Sequence, residues 1–279
     1  MSQPNGKVQI TIFDTTLRDG ELALTRKFTL SQKLQLVQML AAAGVDVIEV
    51  GYPGAFRKDV DDLLGIAQQV TQATICGLAG SQPDEIEAVA AALKPAERGR
   101  INVFTPIRVA SEAAESEAIA TIQQSISLAR KYCSDVEWSA FDATRCHPDL
   151  VCRAVETAIR SGASTITIPD SLGVATPSTF VALIEAVRHR VPNIDQATLA
   201  VHCHNEQGLA AENSLAALAV GVRQVECSVN GLGARAGNAN LAEVVTAIAH
   251  YPQFQTGVDA AHLTALSEQV AALTQARLE

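Results

Sequence analysis

The chain has 279 residues, 48% of them apolar and only 4% aromatic, with a formal net charge of −9. That length suits one large domain with a sizeable core. Few aromatics beside abundant Ala, Val, Ile and Leu is the composition of parallel strands buried between helices. The acidic balance weighs against non-specific binding to nucleic acid or to an anionic membrane surface, while leaving room for a local basic pocket.

The chain opens on Met1-Ser2-Gln3-Pro4-Asn5-Gly6-Lys7, which lacks the apolar stretch of a signal peptide and reads as a short disordered lead-in. No apolar run reaches membrane-spanning length. The cysteines at 76, 133, 146, 152, 203 and 227 include no Cys-x-x-Cys pair. Free buried thiols in a reducing, cytoplasmic setting are the expectation.

Strand-like and helix-like stretches then alternate. The strand-like runs are 8–13, 45–50, 73–78, 101–105, 136–140, 165–169, 199–204 and 224–229. Amphipathic helical stretches follow them, among them 31–43, 149–161, 177–191 and 213–220, with Gly44 and Gly162 as stop signals and Pro177 opening a first turn. Eight such βα units predict a TIM barrel, (β/α)8, of the usual ~250 residues. An open doubly wound sheet is the alternative, weakened because no Gly-x-Gly-x-x-Gly follows the first run. Residues 260–277 read as an extra amphipathic helix. The expected organisation is one catalytic domain over 1–279, with the barrel at about 8–250, a helical extension at 258–279 and no regulatory domain.

In a barrel the chemistry sits at the carboxyl ends of the strands. Arg18 and Asp19 follow the first run, and Glu49 ends the second. Ser139 and Asp142 close the fifth, Asp170 and Ser171 the sixth, and His202, His204 and Asn205 the seventh; Asn230, Arg235 and Asn238 follow the eighth. His202 and His204 are two apart, so on a strand both rings face one way. Beside a carboxylate from the first strand they form a candidate divalent-metal site with room for substrate oxygens, and Asn238 could add a carbonyl oxygen. A ring that only hydrogen-bonds in the core is the plainer alternative. The loop from Gly231 to Asn238 either cradles an anion or simply turns tightly.

Together these residues resemble a known family. Asp14-Thr15-Thr16-Leu17-Arg18-Asp19-Gly20-Glu21, Val201-His202-Cys203-His204-Asn205 and the run from Val225 to Asn238 are similar to signatures of the 2-isopropylmalate, homocitrate and citramalate synthases. These belong to the metal-dependent TIM-barrel group that also holds the HMG-CoA lyases. The likeness runs from about Ile10 to His250. It is closest to 2-isopropylmalate synthase through Cys76-Gly77-Leu78-Ala79, Asp142-Ala143-Thr144-Arg145, Ile168-Pro169-Asp170-Ser171 and Arg223-Gln224-Val225-Glu226-Cys227.

The resemblance implies an acyltransferase that condenses acetyl-CoA with a 2-oxo acid to give a 2-alkylmalate, as in amino-acid biosynthesis. It implies that Asp19, His202, His204 and Asn238 hold Mg2+, Mn2+ or Zn2+, and that Arg18 supports the developing alkoxide. Ser171 would bind the substrate carboxylate, and Ser139 and Thr167 would line its side-chain pocket. Asn230, Gly231, Gly233 and Arg235 would face CoA. A homodimer is expected, or a complex with a separate partner subunit.

The departures from the pattern are informative. Leu22 stands in place of a Gln, Phe141 in place of a Glu that would assist proton transfer, and Ala234 in place of another Glu. The usual Ser-Asp-x-His after the fourth run is missing, with Val109-Ala110-Ser111-Glu112 in its place. Phe and Leu cannot carry protons. Either Leu22 and Phe141 line a pocket for a more apolar 2-oxo acid, or the metal site runs an aldolase- or lyase-like cleavage, or the chain serves a longer synthase as its partner. The loop after the eighth run has no Cys, which counts against an HMG-CoA lyase. Glu49 is a possible substitute base or a structural acceptor.

Overall fold

Residues 6–278 are described by the structure, a computed structural model; most of the lead-in expected at residues 1–7 lies outside them. Eight parallel strands close into a barrel. They are β1 (Thr11–Asp14), β2 (Val47–Gly51), β3 (Thr74–Ala79), β4 (Gly99–Pro106), β5 (Val136–Phe141), β6 (Thr165–Asp170), β7 (Thr198–Cys203) and β8 (Gln224–Cys227). The seam is the β1–β8 pairing, with Thr11 opposite Gln224 and Asp14 opposite Cys227.

Each expected strand is present, and the ends differ by a residue or two. The first differs more. Residues 8–13 form two pieces, and Val8–Gln9 leaves the barrel to pair in parallel with Phe254–Gln255. The helices named here are α1 (Leu30–Ala42), α2 (Lys58–Ala67), α3 (Pro83–Leu93), α4 (Glu112–Tyr132), α5 (Pro148–Arg160), α6 (Pro177–Arg190), α7 (Ala210–Ala219), α8 (Leu241–His250) and α9 (Leu263–Leu278). Their starts follow local chemistry. Thr29 caps α1 in a reciprocal box with Gln32, and Thr176 caps α6 ahead of Pro177. Helix α9 is the expected extra helix. Among the described residues no helix is long and apolar enough to cross a membrane, and all six cysteines are free thiols.

The apolar core lies between the strands and the helices, where Val136, Trp138 and Ala140 of β5 point. Strand alternation therefore sends the other residues into the barrel, and most of these are polar. At its floor Arg100 binds Glu137 at 3.0 Å and Gln224 at 2.8 Å. The Thr167 hydroxyl stands between Glu137 and Glu226. Burial first, and then each one's acidic neighbour, push Glu137 up to about 8 and Glu226 to about 7. Apolar packing outside and a hydrogen-bonded column inside make a stiff support for whatever sits at the mouth.

Candidate metal centre and active site

The mouth of the barrel holds a cavity of about 260 Å3. On one side stand Asp19, His202 and His204, all buried, whose candidate ligand atoms lie within 4.8 Å of one another. Two elements bring them together. The loop after β1 delivers Asp19, and the end of β7 delivers the two rings, whose centroids are 4.9 Å apart.

Each ring has one nitrogen engaged. His202 Nδ1 is 2.8 Å from Glu226 Oε2, and His204 Nδ1 is 3.3 Å from the Gly237 carbonyl oxygen. Such partners fix the tautomer and leave both Nε2 atoms as acceptors, the arrangement that ligating histidines adopt. Burial holds both rings below the usual imidazole range, and His204, which His202 depresses further, falls to about 4. Burial opposes ionisation of Asp19, yet Arg18 and the two rings outweigh it and hold that carboxyl well below the usual range. A neutral imidazole pair beside a carboxylate that stays ionised is the donor set a divalent cation needs.

Asn238 supplies a further fit. Its Nδ2 donates to Asp19 Oδ2 at 2.7 Å and to Leu232 O at 2.9 Å, while its Oδ1 is buried without a hydrogen-bond partner. Amide oxygen and nitrogen are assigned from such networks. With the nitrogen so assigned, the buried Oδ1 beside the cluster is an acceptor left for a cation to satisfy. The residues present therefore fit a divalent metal.

Arg18 joins this centre to β2. Its Nη1 donates to Asp19 Oδ1 at 2.8 Å and its Nε to Glu49 Oε2 at 2.6 Å. Glu49 is fully buried and also accepts from Thr15 and Asn102. Glu49 thus anchors Arg18, as in the structural alternative considered for it.

The opposite wall is apolar and aromatic. Tyr52, Phe104 and Phe141 form a row with successive ring centroids 5.7 and 6.1 Å apart, and Leu22 and Leu78 also line the cavity. Leu22 is 46% exposed and Phe141 45%, so both stand open to an incoming ligand.

Other expected residues vary. Ser139 lines the cavity and donates to Asn102 Oδ1 at 3.0 Å, while Ser171 lines it and accepts from the Asp142 amide. Thr167 also lines it, with its hydroxyl taken by the floor carboxyls. Asp142 turns into an ion pair with Arg145, and Asp170 caps its own loop through Val174 and Ala175.

The four residues expected at CoA divide. Gly233 packs against Asp19 and Asn238. Arg235 lines the cavity, donating to Glu206 Oε1 at 2.6 Å and Ser171 O at 2.7 Å. Those bonds offset a left-handed backbone, φ 57°, that costs a non-glycine residue about 1 kcal/mol. Asn230 turns away to Ser267 on α9, and with Gly231 it lines a separate polar cleft.

Sequence reasoning gave no role to Tyr52, Leu78, Asn102, Phe104 or Glu226. The signal was alternation: Arg100, Asn102 and Phe104 occupy every second position of β4, the inward ones.

The depressed His204 ring makes a pH prediction. Its folded pKa lies below the unfolded value of about 6.5. As pH falls the unfolded chain takes up that proton first, so this group's share of stability is present above about 6.5 and is lost toward 4. Denaturant unfolding of the metal-free protein at pH 7 and pH 5 should show the parent losing about 2 kcal/mol more than His204→Gln. Equal losses would place that ring in an ordinary solvated state.

Three comparisons with known proteins bear on the family and the fold. The family model described as HMGL-like matches residues 9–270. The 2-isopropylmalate synthase of Methylorubrum populi is 46% identical over 274 residues, which cover 95% of this chain and 53% of that protein. That of Methylobacterium nodulans is 45% identical with the same coverage. The chain thus spans about half the length of the curated relatives it matches. Among solved structures, the HMG-CoA lyase from Brucella melitensis superposes with a TM-score of 0.80 at 24% identity, covering 96% of this chain and 99% of the lyase, a likeness of fold. With the matched family model extending over the whole barrel and into α9, this chain belongs to the HMGL-like family.

Proposed function

We propose that the chain carries a divalent-metal-dependent acyltransferase site that condenses acetyl-CoA with a 2-oxo acid bearing an apolar side chain, giving a 2-alkylmalate. The observation that carries this reading is one cavity with two unlike walls: the Asp19–His202–His204 cluster on one side and the Tyr52–Phe104–Phe141 row on the other. The 2-isopropylmalate synthases among its relatives support the reaction class.

A bound divalent cation would supply Lewis acidity at the keto oxygen of the 2-oxo acid. Asp19, His202, His204 and Asn238 would hold it. Arg18, fixed between Asp19 and Glu49, keeps a guanidinium charge where negative charge develops on that oxygen, stabilisation that needs no reorganisation during the reaction. Ser171 and Arg235 lie where polar ends of the substrates would enter. In the condensation the acetyl methyl group loses a proton, its carbon bonds to the keto carbon, and water then cleaves the thioester to release CoA.

The aromatic row excludes water from the acid's side chain. Both carboxylates lining the cavity are already paired, Asp19 with Arg18 and Glu226 with His202 and Thr167, and the buried Glu49 is held by Arg18 and Thr15. That pairing favours a partner chain that brings the base; cleavage of a related hydroxy acid at the same centre is the alternative reaction and needs a base as well.

The test is to incubate the protein with acetyl-CoA, Mn2+ and 2-oxo acids of increasing side-chain size and to follow free thiol. Thiol release is expected to rise with apolar bulk. Phe141→Ala should lower kcat/KM for the bulkiest acid about tenfold, the effect of a lost apolar contact in a pocket. No thiol release with any acid would sink the condensation reading. Formation of a 2-oxo acid from a hydroxy acid without CoA release would establish the cleavage.

A further inference from the structure

Lys33 is a fully buried cation that takes no part in the chemistry above. It stands in the first turn of α1. Its Nζ lies 2.9 Å from the Val50 carbonyl oxygen and 3.2 Å from that of Leu17. Three carboxylates surround it: Glu21 at 3.0 Å, Asp62 at 3.2 Å and Asp59 at 3.8 Å. Lys58 pairs with Asp62, and Lys27 lies near Glu21 and Asp59. Three positive and three negative groups thus balance, as buried charge requires.

Charge balance does not explain the two carbonyls. Leu17 immediately precedes Arg18, and Val50 immediately follows Glu49. One ammonium group therefore spans the two main-chain segments that carry the Arg18–Glu49 pair, and Arg18 in turn holds Asp19. An ammonium has three donors, so two can serve these carbonyls and still leave one for a carboxylate. Apolar side chains of similar volume can replace a buried ion cluster at little cost. They cannot hold two carbonyl oxygens.

We propose that Lys33 is a positioning residue of the metal centre, clamping the Leu17 and Val50 carbonyls so that Arg18 and Glu49 keep their spacing and Asp19 keeps its aim. The proposal rests on reading Asp19, His202 and His204 as that centre. It differs from a purely structural role because Asp62, a partner of the same ammonium from α2, touches neither carbonyl.

Calorimetric titration with Mn2+ and thermal unfolding of the parent, Lys33→Met and Asp62→Asn separate the two roles. Lys33→Met should weaken Mn2+ binding about tenfold, the lower end of what outer-shell partners of metal ligands contribute. Asp62→Asn should lower Tm and leave Mn2+ affinity within twofold of the parent. If Lys33→Met alone fails to fold, the charge-balanced Lys33→Met/Asp62→Asn protein carries the measurement, with the same tenfold loss expected. Parent-like affinity in a folded Lys33 variant overturns the proposal, and so does failure of both Lys33 variants to fold, which would make the residue a requirement of the whole barrel. A parent that binds no Mn2+ would instead overturn the metal reading, and this proposal with it.

Discussion

His204→Ala should purify without a bound divalent cation and should weaken Mn2+ binding by more than about a hundredfold, beyond what the loss of an outer-shell partner costs. The Nδ1 atom of His204 is occupied by the Gly237 carbonyl, so Nε2 is the atom this ring offers. Without it the cluster keeps one imidazole and one carboxylate, and Asp19 already shares its oxygens with Arg18 and Asn238. The fold should survive. His204 lies just past the end of β7, and the main chain there is held by its own bonds, with His204 N donating to Asp170 O and Asn205 N to Gly237 O. Metal content after purification and a Mn2+ titration check this. Undiminished content would move the centre elsewhere in the barrel.

Gly233→Ala should be nearly as damaging to metal binding, although position 233 is not itself a ligand. A β-carbon there would lie 2.8 Å from Asn238 Cγ and 2.9 Å from Asp19 Oδ2. The obstructing atoms belong to an amide fixed at both ends of its nitrogen, to Asp19 and to Leu232, so making room breaks bonds inside the cluster. Each buried bond left unmade costs about 1–3 kcal/mol. We expect a 10- to 100-fold loss of Mn2+ affinity. Gly208→Ala is the matched control. Its φ is +72°, so alanine is strained there, yet nothing stands within 4 Å of the added carbon. It should lower Tm and leave the metal untouched. Equal Mn2+ affinity in both variants would show that the Gly233 contact relaxes harmlessly.

Much of this was legible in the residues alone. The outward faces of the strands are rich in Val and Ile, so hydropathy marks all eight. Their ends blur where inward polar residues such as Arg100 or Thr198 interrupt the apolar run. The split at residues 8–13 was hidden because Val8–Gln9 pairs with residues about 245 positions away, and no local pattern carries a pairing that closes at such distance. At the site, Arg18, Asp19, His202 and His204 were legible because strand-end position and spacing are local properties. Asn102 and Glu226 were not, because their roles exist only through side chains on other strands, Glu49 and Ser139 for one, His202 and Thr167 for the other. Asn230 and Gly231 were grouped with Arg235, which lines the mouth, whereas the left-handed backbone of Asn230 turns its side chain to α9.

The two walls of the cavity come from different strands. The three ligand side chains, Asp19, His202 and His204, stand at the ends of β1 and β7, while the rings stand at the ends of β2, β4 and β5. None of the three rings shares a hydrogen-bond partner with the cluster: Tyr52 bonds Glu85, and the Phe rings meet by contact alone. Substitutions on the two sides should therefore combine additively in free energy. On the proposed reading, a lineage built on this barrel can change which side chain the site accepts by accumulating changes at positions 52, 104 and 141 while the residues proposed to hold the metal stay in place.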